Sequence, residues 1–224
     1  MPRLRDWISW QKLALLLILT IFLGGLWKWR QQAAQKSRIQ TAQQWIEQNN
    51  VRQLVKSGDI ICRAGSGIWS DLATELSPRE KRFSHAGIIL VANDSTVSVV
   101  HAEANDYTGI GAIKEEPLAH FLSGGNDFAI FRLRQQHPQI FDTETFTTNI
   151  RKYLGIPFDY KFDLLTEDRM YCTEFIYHAM RNLNPPIHLS TITSEKGKVF
   201  VPVDSCHDPL LFNSVIEHII SQQQ

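Results

Sequence analysis

The stretch HAGIILVANDSTVSVVHAEA, His85 to Ala104, holds two β-rich runs on either side of the turn-forming cluster ANDS. Val and Ile dominate both runs, as they do in strands, and Asn, Asp and Ser between them favour a tight turn. The stretch therefore predicts a β-hairpin. Side chains alternate along a strand, so His85, Gly87, Ile89 and Val91 share one face. Val97, Val99, His101 and Glu103 share a face of the partner strand. A three-residue loop, Asn93-Asp94-Ser95, sets Val91 opposite Val97 and His85 opposite Glu103, with about 5 Å between Cβ atoms. A slip of one residue would send the two side chains to opposite faces. Two readings fit this spacing: a histidine base with its carboxylate, or an exposed cross-strand salt bridge.

Outward from the hairpin, GDIICR and FAIFRLR read as further strands, and GSGIWSDLATELS, PLAHFL and YCTEFIYHAMRNL read as helices. Strands gathered in the middle with helices on both sides predict an α+β fold with an antiparallel sheet. The 23 basic and 23 acidic residues of the 224 cancel, which argues against a nucleic-acid partner.

The N-terminus departs from a soluble composition. Leu13 to Trp27, LALLLILTIFLGGLW, has no charge, and Trp7, Trp10, Trp27 and Trp29 flank or end it as interfacial aromatics do. An anchor over residues 8–29 and a cleaved secretory signal both suit such a run. WKWRQQ follows in place of a small-x-small cleavage site, which favours the anchor. The chain then divides into an anchor (1–30), a Gln-rich helical stalk (31–55) and a globular domain (56–224). Arg3, Arg5 and Lys12 before the span and Lys28, Arg30, Lys36 and Arg38 after it nearly balance, and the short basic tail, like that of a signal-anchor, predicts a domain on the extracytoplasmic side of a single-pass membrane protein.

Cys172 opens the last clear helix, continuing a stripe of Phe175, Ile176, Ala179, Met180 and Leu183. Free N–H groups at a helix start favour a thiolate and a developing oxyanion, although a buried inert cysteine fits the same pattern. Of the eight histidines, His85 and His101 lie on the hairpin strands, where a base would be held rigidly. Asp159 and Tyr171 are candidate substrate-binding residues with His101. Cys62, Cys172 and Cys206 match no zinc spacing, and GSG at 65–67 is too short for a phosphate loop, so neither metal nor cofactor is expected.

In this order, SGDIICRAGSGIWSDLAT, FSHAGIIL, VVHAEA, GIPFDYKFDL and YCTEF resemble the permuted papain-like hydrolases of the YiiX type, circularly permuted relatives of NlpC-type peptidases. The resemblance covers residues 57 to 183. It implies a papain-like core with the cysteine helix packed on an antiparallel sheet. It also implies Cys172 as nucleophile, His85 as base and Glu103 as the orienting residue. The activity implied is thiol hydrolysis of a peptide amide or an acyl-lipid ester through an acyl-enzyme, with acyl transfer or mere binding as alternatives.

Overall fold

The computed structural model describes residues 4–134, 143–195 and 197–219. The chain divides into two compact units, Met1–Thr41 and Ala42–Gln224. The first is most of α1, one uninterrupted helix from Leu4 to Gln48. Its apolar side chains, Leu15, Leu16, Leu17, Ile18 and Leu19 among them, are exposed at successive positions and so on every side. A helix that is apolar all round suits a bilayer, and this one is long and apolar enough to cross one.

In the second unit the elements after α1 run α2 (Val51–Leu54), β1 (Ile60–Arg63), α3 (Ile68–Glu75), β2 (His85–Val91), β3 (Val97–Ala104) and β4 (Gly111–Pro117). They continue with α4 (Leu118–Leu122), β5 (Asp127–Leu133), α5 (Thr143–Arg151), α6 (Cys172–Arg181), β6 (Ile192–Thr193), β7 (Val199–Phe200) and β8 (Phe212–Ile219). Six strands form one sheet in the order β4-β3-β2-β1-β5-β8, every neighbouring pair antiparallel. The hairpin takes the expected register, with Val91 opposite Val97 and Ile88 opposite Val100, and Ser95 adopts positive φ in its loop.

Both faces of the sheet are covered, which is why β1 and most of β2 read as continuous apolar runs rather than alternating ones. On one face Cys62, Ala86, Ile88 and Val100 pack against Phe175, Ile176, Ala179 and Met180 of α6. On the other, Ile61, Ile89 and Val99 meet Phe121 and Leu122 of α4 and the last turns of α1, through Ala42 and Ile46. Trp45 stands edge-on to Phe128, with ring centroids 4.8 Å apart. The final turns of the long helix are thus part of the globular core.

Two strands at opposite edges were not legible in the sequence. Strand β4, GAIKEEP, is charged and lies at one edge, where Lys and Glu prevent edge-to-edge pairing. Strand β8 closes the other edge against β5, with a register shift between Ile130 and Phe131. All three cysteines are free, buried thiols, Cys62 and Cys206 included.

Because Ile46 is buried against the sheet, Ile46→Ala in the full-length chain is expected to destabilise the domain by about 2–5 kcal/mol. Denaturant unfolding followed by tryptophan fluorescence measures it, and a loss below about 1 kcal/mol would show that the end of α1 lies off the core.

Candidate active site

A cleft of about 130 Å³ opens at the end of the sheet where β2 begins. Residues from both faces reach it there. Cys172, Ala102 and Phe158 come from the α6 side, and His85, Glu103 and Arg63 from the α4 side. Cys172 is the first residue of α6 and only 4 % exposed. Its position is set from behind. The Tyr171 hydroxyl, buried, accepts the Val201 N–H at 2.8 Å, and the Thr173 hydroxyl donates to the Val201 carbonyl at 2.6 Å. The Tyr171 N–H donates to Glu174 Oε2 at 3.2 Å, which closes the first turn.

Burial pushes the Cys172 thiol up to about 11, against the N–H groups of Ala86, Thr173 and Cys172 itself, which favour the thiolate. Burial also raises Glu174 to about 9, helped by Asp159, Asp163 and Glu167. Glu174 is therefore neutral near pH 7 and places no negative charge two residues from the sulfur. Burial, then the charge of Arg63, hold the His85 imidazole well below its usual range, and burial lowers His101 as well. Thiol and imidazole are both uncharged at neutral pH.

His85 and His101 form the centre of the site. His85 Nε2 lies 2.7 Å from His101 Nδ1, and His101 Nε2 lies 2.9 Å from Glu116 Oε1. Gly87 makes this possible: a Cβ there would sit 2.6 Å from Val99 Cγ1 and 3.1 Å from His101 Cβ. The Glu116 carboxyl is held below its usual range, burial being outweighed by His101 and Lys114. An ionised carboxylate only accepts, so His101 donates from Nε2 and must accept at Nδ1. His85 then donates from Nε2, and its Nδ1 is left with the free lone pair.

Glu103 is held otherwise. Its Oε1 is 2.6 Å from Arg63 Nη2, and its Oε2 is 2.7 Å from Lys114 Nζ. Burial works to raise its pKa and is outweighed by His85, Arg63, His101 and the hydrogen bond from Lys114, so the carboxyl ionises well below the usual range. With both imidazoles neutral, Arg63 and Lys114 are what hold that charge. Arg63 also donates to the Phe121 carbonyl and lies over its ring, 4.5 Å from the centroid.

The structure brings Cys172, His85 and Glu103 to one cleft, with His101 directly behind His85. It does not bring Tyr171 or Asp159 there, and His101, fully buried, does not line the cleft as a substrate-binding residue would. The Tyr171 ring is buried, and Asp159 accepts the N–H groups of Lys161 and Asp163 in its own loop. Arg63, Lys114 and Glu116 were missed in the sequence. The available signal was the alternation Lys114, Glu116, which the register places opposite His101 and Val99. Among the described residues, one cluster has the make-up of a metal site: one nitrogen each from His85 and His101 and one Glu103 oxygen, all within 4.8 Å of one another.

An antiparallel sheet with a cysteine-led helix packed on it and a histidine on a neighbouring strand defines a papain-like core. The profile of the family described as permuted papain-like amidase enzyme, YaeF/YiiX, C92 family, matches residues 54–204, and the chain belongs to that family. Among solved structures, the metalloprotein yiiX from Escherichia coli O157:H7 has the same fold, with a TM-score of 0.61 and 18 % identity over 73 % of this chain and 98 % of that one. No curated protein sequence matches the chain.

A buried neutral thiol predicts a pH profile. Alkylation of Cys172 by iodoacetamide is expected to rise steadily from about pH 7 to about pH 10, as the thiolate fraction grows. A plateau already reached below pH 7, read by mass spectrometry of the labelled peptide, would mean a preformed thiolate.

Proposed function

We propose that the protein is a membrane-tethered thiol amidase, with Cys172 as nucleophile and His85 as base, cleaving an amide of a cell-wall peptide or a related compound on the extracytoplasmic side. The observation that carries this reading is the proton order of the histidine chain. Glu116 accepts from His101, His101 accepts from His85, and His85 Nδ1 is thereby left as a proton acceptor in a protein whose only cleft-lining thiol among the described residues is Cys172. The membership in an amidase family supports the amide class.

In this route the neutral Cys172 thiol gives its proton to His85 Nδ1 as sulfur attacks the substrate carbonyl. The imidazolium so formed is stabilised through His101 and the Glu116 carboxylate. The Cys172 N–H, at the helix start, is placed to donate to the developing oxyanion. His85 returns the proton to the leaving amine, and water attacking the acyl-enzyme repeats the cycle. We assign the orienting role to His101, at 2.7 Å from His85, because both Glu103 oxygens are engaged by Arg63 and Lys114.

The Escherichia coli structure is described as a metalloprotein, and two imidazoles with a carboxylate are a fitting donor set here as well. A divalent ion held by His85, His101 and Glu103 would supply Lewis acidity and an activated water. The thiol route above uses only the chain's own groups.

Hydrolysis of peptidoglycan stem peptides and of lipid esters by the purified full-length protein separates the amide from the ester reading, and an added amine nucleophile separates hydrolysis from transfer. Cys172→Ala is expected to abolish turnover, and His85→Ala to lower it by about 10²–10⁴-fold. His101→Ala should lower kcat with KM nearly unchanged, and by more than Glu103→Gln does. Equal losses from those two would give the orienting role to Glu103, and full activity of Cys172→Ala would end the thiol reading.

A further inference from the structure

Holding a metal and acting as a base make opposite demands on His85. In the hydrogen-bonded chain its Nε2 carries the hydrogen and points at His101 Nδ1, 2.7 Å away. His101 Nδ1 already offers a lone pair, because the Nε2–H of His101 is committed to Glu116. One nitrogen of each ring and a Glu103 oxygen all lie within 4.8 Å of one another. Two imidazoles and a carboxylate, with water in the remaining positions, suit zinc and similar divalent ions.

We propose that this cluster reversibly binds a divalent ion of the zinc class through the two facing nitrogens and Glu103, and that the ion switches His85 off by reversing its tautomer. To ligate, His85 Nε2 must lose its hydrogen. The ring stays neutral, so one proton leaves Nε2 and one is taken up at Nδ1 through solvent. The nitrogen that would accept the thiol proton is then blocked. That last consequence rests on the thiol reading; the binding itself does not.

Lys114 sets how easily the ion enters. Its Nζ bridges Glu103 Oε2 at 2.7 Å and Glu116 Oε2 at 3.1 Å, while Arg63 holds the other Glu103 oxygen. An incoming cation must share Glu103 with both and endure their charge. Arg63 is buried, but Lys114 stands on the edge strand with its side chain 43 % exposed, and it can be replaced without disturbing the core.

Calorimetric titration of the full-length protein in detergent with zinc chloride tests this, with Cys172→Ser run in parallel. The expected result is one ion per chain and an affinity unmoved by Cys172→Ser. Lys114→Met should tighten it by about tenfold, within the range that altering a ligand's surroundings commands, and His101→Ala, which removes a ligand, should weaken it by more than about 100-fold. Zinc should also slow iodoacetamide labelling of Cys172 in the native chain. Loss of binding in Cys172→Ser would put the ion on the thiol and overturn the proposal, as would an affinity indifferent to Lys114→Met and to His101→Ala. Lys114→Met keeps the test decisive if His101→Ala does not fold. Zinc binding as described with labelling unaffected would overturn the switch. Labelling indifferent to His85→Ala would instead overturn the thiol reading and leave the calorimetry standing.

Discussion

The site depends on one close approach, that of the His101 side chain to the bare backbone of Gly87. Two antiparallel strands place every side chain against a partner, and any partner larger than hydrogen at position 87 would meet Val99 and His101. Without one, the His101 ring can lie beside His85 and hydrogen-bond to it. The hairpin register, the glycine and the histidine pair are therefore one constraint. Move the register by a residue and His101 faces the other side of the sheet, among the side chains that pack on α6.

Much of this was legible because it is local. The turn cluster ANDS and the alternation on either side settle the hairpin, and the apolar stripe after Cys172 settles the helix and the face it buries. The motif order then carried the family and the placing of Cys172 and His85 in one cleft. What was not legible is set by distant chain. Glu116 reaches His101 only because β4 pairs with β3, and nothing in GAIKEEP looks like a strand. Glu103 faces the side expected of it, yet its oxygens go to Arg63, forty residues earlier, and to Lys114. A pairwise reading of two strands cannot anticipate a guanidinium delivered by a third.

The cleft sets burial against charge. Enclosure keeps Cys172 and His85 neutral, whereas Glu103 and Glu116 stay ionised because Arg63, Lys114 and His101 meet them at hydrogen-bond distance. The uncharged pair and the charged network are thus separate layers, joined at His101. The outer layer fixes where hydrogens sit on the inner one, so a surface lysine bears on the chemistry of a buried ring without touching it.

The first turn of α6 is fastened to Val201, through the Tyr171 hydroxyl on one side and the Thr173 hydroxyl on the other. Val201 follows Cys172 in the chain, and β8, which closes the sheet edge against β5, follows both. A polypeptide is made from its N-terminus. When the segment bearing the cysteine leaves the ribosome, the residue that seats it is still behind it in the exit tunnel. The long apolar helix is already out by then, so the thiol is seated only once nearly the whole chain has emerged.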